Sequence, residues 1–311
     1  MAKTTIVTLD LKFRNRGQTI ACYLIHHPQG ALLVECGPGS TVGNLKEELA
    51  REGLRPSDVT HVLLTHIHLD HGGAAGWWSR QGAEIHVHPN GAPHLLDPAK
   101  LLASAARIYG DQMHSLWGDF LPVEERQLRV AQDGQPIKVG IHEFIPINTP
   151  GHAEHHFAYL FENVCFSGDI GGVRIPGHAY MRAPMPPPEL HFGRWHESLA
   201  RLRGLKFGRM APTHFGIYDD PAWQLDELEK HLHAAQAWLK AEMVSDPALE
   251  LLREHFTAWM NEQARKQGLT EEEILSYNLA NPLGMSADGM MRYWRKVALG
   301  SNNSTNVTLK A

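Results

Sequence analysis

The sequence predicts a mixed α/β (α+β) fold of two β-sheets packed face to face, helices covering both outer faces, and a helical C-terminal region. Three observations point there. Two strand-rich halves have helical patterns between them, the second half running from Leu128 to Asp169. Short polar segments rich in histidine close several apolar strands rather than interrupting them. From Pro221 onward almost every segment has helical spacing. Strand runs alternating with helices favour layered sheets over a bundle.

The first half opens with strands at Ile6 to Phe13, Ile20 to His27 and Ala31 to Glu35, punctuated by Gly30 and Cys36-Gly37-Pro38-Gly39. Glycine and proline clusters of this kind mark turns. A helix follows over Asn44 to Glu52, with Leu45 and Leu49 one turn apart and a stop at Gly53. The strand Val59 to Thr65 ends in His66-Ile67-His68-Leu69-Asp70-His71. A short helix then passes through Trp77-Trp78, and a strand runs from Ala83 to His88.

Residues 98–121 break this rhythm. Leu101, Leu102, Ala105, Ile108, Tyr109, Met113, Leu116 and Trp117 recur at helical spacing. They predict a helical insertion that packs on the core, with a lid over the site as the alternative reading. The second half contains Glu143 to Ile147 and Asn163 to Asp169. It then enters a Gly/Pro-rich loop, Gly171 to Pro188, a helix at 189–203 and a strand at Arg209 to Pro212. The predicted organisation is a catalytic region over 1–220 and a helical region over 221–311 packing on it. Gly268, Pro282 and Gly284 break that helical region, and Trp223, Trp238, Trp259 and Trp294 are candidates for its core or for a homodimer interface.

The chain has 311 residues, is 43% hydrophobic and carries a formal net charge of −5, so it has core to bury and lacks the basic footprint of a nucleic-acid binder. No stretch has the length and apolarity of a membrane span, and no apolar signal core follows Met1. The three cysteines, Cys22, Cys36 and Cys165, have no CxxC spacing and read as reduced core residues. A cytoplasmic protein acting on a small molecule, without nucleic-acid or membrane partners, is the expectation. The Asn306-Val307-Thr308 triplet in the tail after Ser301 is expected to be without function in a frayed end.

The run from His66 to His71 places three imidazoles and a carboxylate within six residues at a strand end. In extended chain His66 and His68 face one way, while Asp70 and His71 turn off into the following helix. One pair could hold one metal and the other pair a second. Three further strand ends carry similar chemistry: Thr149-Pro150-Gly151-His152, Ser167-Gly168-Asp169 and Pro212-Thr213-His214. Lone strand histidines such as His26, His61 and His142 are expected to be structural.

With these residues in order, the chain resembles the metallo-β-lactamase superfamily, nearest to its glyoxalase II-like hydrolases. The HxHxDH of the family matches His66 to His71. The later histidine context matches Thr149 to His156, the bridging aspartate context matches Ser167-Gly168-Asp169, and the last histidine matches His214. The resemblance spans roughly residues 6–216 and implies a four-layer αββα sandwich. It also implies two divalent metal ions, zinc first, with iron or manganese as alternatives. His66, His68 and His152 would hold one, Asp70, His71 and His214 the other, and Asp169 would bridge them. The implied activity is hydrolysis of an ester-like bond (thioester, lactone or ester) by a hydroxide bridging the metals, with Asp70 or Asp169 as proton shuttle.

Glu35 stands where the family often has an aspartate that supports the metal loop, and His156 falls where a histidine often orients ligands. The loop after Asp169 offers Arg174, His178, Tyr180 and Arg182 as candidate substrate contacts, since arginine pairs with carboxylate or phosphate and a phenol or imidazole donates to an oxyanion. His155, His191 and His196 are expected at the solvent or the pocket rim. The Pro-rich stretch 183–188 is expected to shape the pocket. Related chemistries, an iron-dependent persulfide dioxygenase or a phosphodiesterase/nuclease, are the alternatives. A β-lactam-hydrolysing role is not expected without export.

Overall fold

The computed structural model describes residues 4–298; the N-terminal Met1 and the tail triplet at Asn306 lie outside them. The first sheet has six strands in sequence order: β1 Ile6–Asp10, β2 Ala21–His27, β3 Gly30–Val34, β4 Val59–Leu63, β5 Glu84–Val87 and β6 Leu128–Val130. The first three pair antiparallel, and β3 to β6 run parallel. The second sheet has five strands: β7 Ile137–Val139, β8 His142–Asn148, β9 Phe157–Phe161, β10 Val164–Phe166 and β11 Arg209–Ala211. Their spatial order is β11-β10-β9-β8-β7, with only β10 and β11 parallel.

Side-chain alternation explains the layering. Along β2, Ala21, Tyr23 and Ile25 join Phe144, Tyr159 and Phe166 in the core between the sheets. Cys22 and Leu24 point the other way, into a core closed by helix α1 Val42–Arg51 through Leu45 and Leu49. The short α2 Leu69–Gly72 and α3 Ala75–Arg80 follow β4, and Trp78 fills the same outer core. Helices α4 Ala92–Leu96, α5 Ala99–Tyr109 and α6 Met113–Trp117 follow β5. The insertion expected at 98–121 is therefore helical but bent, with a 3-10 turn at Gly110–Gln112 between α5 and α6.

The outer face of the second sheet is covered by α7 Phe192–Arg203, α8 Pro221–Glu242, α9 Leu249–Lys266 and α11 Leu283–Tyr293. Phe192, Trp195, Leu228, Phe256 and Met290 from these helices share one core with Ile147, Cys165 and Met210 of the sheet. Helix α10 Glu271–Ala280 starts from Thr270, whose hydroxyl accepts from Glu273 N while the Glu273 carboxylate accepts from Thr270 N. This reciprocal cap satisfies two backbone donors that a helix start leaves open. Trp238 and Trp259 stack at 5.6 Å against this core and Trp223 lies under Arg174, so these tryptophans pack within the chain. The three cysteines are buried and unpaired. No helix among the described residues is long and apolar enough to cross a membrane.

Two boundaries differ from the sequence expectation. The first strand stops at Asp10 rather than Phe13, because Lys12, Arg14 and Asn15 have positive φ and turn the chain. The helix expected from 189 begins at Phe192, where the His191 side chain accepts from Arg194 N.

Candidate metal centre

The candidate residues gather at one edge of the stacked sheets, beyond the C-terminal ends of β4, β8, β10 and β11. His66 and His68 lie in the loop after β4, and Asp70 and His71 in α2. His152, Asp169 and His214 follow β8, β10 and β11 in turn. Strand ends suit this work, because rigid ladders fix their position while the loops remain free to aim side chains.

Two groups of nitrogen and oxygen atoms face one another. His68 Nδ1 lies 2.9 Å from His66 Nε2 and 2.9 Å from His152 Nε2. On the other side, His214 Nε2 and His71 Nε2 lie 3.5 and 3.7 Å from Asp70 Oδ2. Asp169 stands between: Oδ2 is 3.4 Å from His152 Nε2, and Oδ1 is 3.2 Å from His71 Nε2 and 3.6 Å from His214 Nε2. Within each of the triads His66/His68/His152 and Asp70/His71/His214, the ligand atoms all lie within 4.8 Å of one another.

The outer nitrogens of these rings are committed elsewhere, which aims the inner ones. His152 Nδ1 donates to the Pro184 carbonyl at 2.8 Å, and His214 Nδ1 to the Thr19 carbonyl at 2.7 Å. His71 Nδ1 donates to Glu35 Oε1 at 3.0 Å. Such partners fix the tautomer and ring orientation of a ligand histidine. His71 Nε2 and Asp169 Oδ1 are buried and lack a hydrogen-bond partner. With the His71 proton on Nδ1, two acceptors face each other, an arrangement that a cation between them satisfies. The residues present thus fit a pair of divalent ions.

The charges divide in the same way. Burial holds the His66 and His155 imidazoles well below their usual pKa, and burial with His152 beside it takes His68 down to about 3. These rings are neutral, as metal ligation requires. Burial also opposes charge on His71 and His214, but Asp169 and Asp70 outweigh it and raise both. Burial pushes the carboxylates up, yet the facing imidazoles bring Asp70 down to about 2 and Asp169 well below its usual value.

Glu35 and His156 sit behind the cluster. The Glu35 carboxylate accepts from His71, from Thr213 Oγ1 at 3.0 Å, and from the Thr65 hydroxyl and backbone N–H. It therefore joins the ends of β3, β4 and β11 to α2. His156 Nδ1 bonds Thr149 Oγ1 at 2.8 Å, and its Nε2 accepts from Ile170 N beside Asp169. Gly168, at φ +51°, lets the chain pass: a Cβ there would lie 2.5 Å from Thr65 Oγ1 and 2.7 Å from His156 Nε2.

The loop after Asp169 does not supply the substrate contacts expected of it. Val173 pairs with Arg182 and turns the segment away from the cluster. Arg174 is buried, grips Asp220 through both terminal nitrogens at 2.5 and 2.9 Å, and lies 3.8 Å over the Tyr218 ring. Only its backbone serves the site, donating to the His214 carbonyl at 2.6 Å. Tyr180 is buried against Tyr277, and its hydroxyl accepts from Arg182, itself held by Asn278. His178 is half-exposed beside Glu273, in a separate groove with Arg16 and Thr270. His155, expected at the rim, is buried behind His66 and His68 with Nδ1 facing Ile67 N.

A cavity of about 270 Å³ opens onto His68, Asp70, His152, Asp169 and His214. Leu101, Ala105, Ile108 and Trp117 from α5 and α6 form one wall, and Pro184 and Pro186–Pro188 another. The insertion therefore both packs and roofs the site, and the Pro-rich stretch shapes it. Leu279 to Met285, between α10 and α11, close the third side. The sequence marked that segment only as a helix break at Pro282 and Gly284, and its place at the cavity depends on the packing of the C-terminal helices. Thr19 likewise acts through a backbone carbonyl, which carries no sequence signal.

Comparison with known proteins agrees with this geometry. The chain is 28% identical over 213 residues to the lactamase-like protein aptB of Emericella nidulans, covering 67% of this chain and 55% of that protein. It is 24% identical over 208 residues to an atrochrysone carboxyl ACP thioesterase of Aspergillus fumigatus, covering 66% of this chain and 39% of that one. The chain thus spans little more than half the length of the first relative and less of the second. The crystal structure of the metallo-beta-lactamase family protein TTHA1429 from Thermus thermophilus superposes with a TM-score of 0.68 at 21% identity, covering 94% of each chain. Residues 16–214, which hold every histidine and aspartate of the cluster, match the model of the metallo-beta-lactamase superfamily, and the chain belongs to that superfamily.

Proposed function

We propose that this protein is a dinuclear metal-dependent hydrolase that cleaves a thioester, lactone or carboxylic ester of a small molecule with a largely apolar acyl part. The observation that carries this reading is the position of the Asp169-centred cluster at the floor of an apolar-walled cavity. His66, His68 and His152 would hold one ion, Asp70, His71 and His214 the other, and Asp169 both. When bound, two such ions acidify a water and polarise the substrate carbonyl.

The rest is done by the chain itself. Leu101, Ala105, Ile108 and Trp117 bind the acyl part and exclude bulk water. The Pro184 carbonyl holds the His152 ring in place. Asp70 turns Oδ2 toward His71 and His214 and reaches the cavity, so its carboxylate would take the proton lost by the attacking water and pass it to the leaving group. An Asp70→Asn variant that retains its metal and full turnover would remove that role.

The thioesterase among the relatives supports the thioester arm, and the glyoxalase II-like placement belongs to the same reading. The complete second triad favours two ions over a single-iron oxygenase, and the net charge of −5 weighs against a nuclease. The reading is tested by assaying zinc-loaded protein on matched panels of esters, thioesters, lactones and phosphodiesters. Turnover confined to the carbonyl panels is expected. Turnover confined to phosphodiesters, or oxygen uptake on a persulfide, would replace it.

A further inference from the structure

A second set of metal-type ligands lies on the first sheet, away from the cavity. His61 of β4 and Glu84 and His86 of β5 are cross-strand neighbours, since His61 pairs with Glu84 and Leu63 with His86. Alternation puts all three on one face. His61 precedes His66 by five residues, so it stands about 16 Å upstream in extended chain at ~3.3 Å per residue.

The hydrogen bonds determine which atoms are free. The Thr60 hydroxyl donates to the Ala31 carbonyl at 3.2 Å, so it accepts from both imidazoles that touch it, His27 Nε2 at 2.8 Å and His61 Nδ1 at 2.7 Å. The His61 proton is therefore on Nδ1, and the Nε2 lone pair points at Glu84 Oε2, 3.6 Å away. His86, 8% exposed, has a buried Nε2 without a hydrogen-bond partner, 4.0 Å from the same oxygen. The two rings stack at 5.5 Å with planes 22° apart, which presents their nitrogens side by side. Arg129 engages Glu84 through the other oxygen, Oε1, leaving Oε2 free. Burial, with His27 and Arg129 nearby, holds the His61 pKa below its usual value despite Glu84. The His61 nitrogen and the Glu84 oxygen thus converge with a buried, unpartnered His86 nitrogen, the three groups offering ligand atoms within 4.8 Å of one another.

We propose that His61, Glu84 and His86 form a separate binding site for a divalent ion of the zinc class. Two imidazoles and a carboxylate are a common set for such ions, and water would complete the coordination. The site is independent of the hydrolytic reading. The similar group of His196, Glu229 and His233 also turns an unpartnered His196 Nδ1 toward Glu229 Oε1 at 3.6 Å, but its His233 is exposed, whereas His86 of the sheet group is buried and His61 and Glu84 are part-buried.

The test is zinc content per chain by elemental mass spectrometry, after equilibration with micromolar Zn²⁺ and desalting. It compares the full chain with His61→Gln, His86→Gln and Glu84→Gln. The expected result is one zinc fewer per chain in each variant, with hydrolysis unchanged. Equal zinc in the unmodified chain and all three variants would overturn the proposal. Should a histidine variant melt lower than the unmodified chain when both are zinc-free, Glu84→Gln decides, because it removes a ligand charge without changing side-chain size. The result is a difference between variants, so it stands apart from the count at the Asp169 centre, which His68→Ala reads separately.

Discussion

The His71 Nδ1–H donates to the Glu35 carboxylate at 3.0 Å, and both side chains are shut off from solvent. That one bond ties the end of β3 to the helix carrying two of the three residues of the second triad. Thr65 and Thr213 donate to the same carboxylate. Glu35→Ala would leave four buried donors unpaired, the Thr65 backbone N–H included, each worth about 1–3 kcal/mol. A loss of roughly 3–5 kcal/mol in stability is expected from these terms, which are not fully additive, with metal affinity down about 10–100-fold. Chemical denaturation and metal titration of Glu35→Ala and Glu35→Gln measure both; unchanged affinity in both variants would refute the support role.

Gly168 is expected to tolerate no side chain. Its φ of +51° and the 2.5 Å approach of a Cβ to Thr65 Oγ1 put strain directly beside Asp169. Gly168→Ala should lower stability by about 1–3 kcal/mol and reduce metal content. Thermal melting with elemental analysis checks it, and a variant with full metal would show that the loop has room to shift.

Arg174 is expected to matter for stability and not for substrate affinity. Its pair with Asp220 is buried on the arginine side and half-exposed on the aspartate side, so Arg174→Ala should cost about 1–2 kcal/mol with KM unchanged. Hydrogen bonding to Arg174 lowers the Asp220 pKa. The contribution of the pair is therefore complete above the unfolded aspartate pKa of about 3.9, and is lost as pH falls through the lower folded value. Melting curves of Arg174→Ala and the unmodified chain should converge at acid pH; a large KM change at neutral pH would instead place Arg174 in the site.

Ala105 forms part of the cavity wall contributed by α5. Ala105→Trp should fill that side of the cavity and lower kcat/KM for long-chain acyl substrates by about tenfold or more, while acetyl substrates and metal content change little. Equal loss on short and long chains would mean that the acyl part lies elsewhere.

The cluster of histidines and aspartates was legible because its chemistry is local. His66 to His71 is continuous, and His152, Asp169 and His214 each close an apolar strand whose alternation marks it. The layers were legible for the same reason, as the alternation of Cys22 and Tyr23 between two cores shows. Arg174, His178 and Tyr180 were not. Their closeness to Asp169 in sequence says nothing about direction, and the pairing of Val173 with Arg182 turns them toward α8 and α10. The wall from Leu279 to Met285 was equally hidden, because it reaches the cavity only through packing of helices far along the chain.

The most direct test of the central claim is metal content per chain at the Asp169 centre, by elemental mass spectrometry, on protein purified without added metal. It compares the chain carrying Glu84→Gln, in which the sheet site does not contribute, with the same chain carrying in addition His68→Ala or His214→Ala. Two ions per chain, reduced in each histidine variant, with chelation abolishing hydrolysis and added zinc restoring it, is the expected result. A single ion indifferent to His214→Ala, or no ion in a chain that still hydrolyses its substrate, would contradict the dinuclear account.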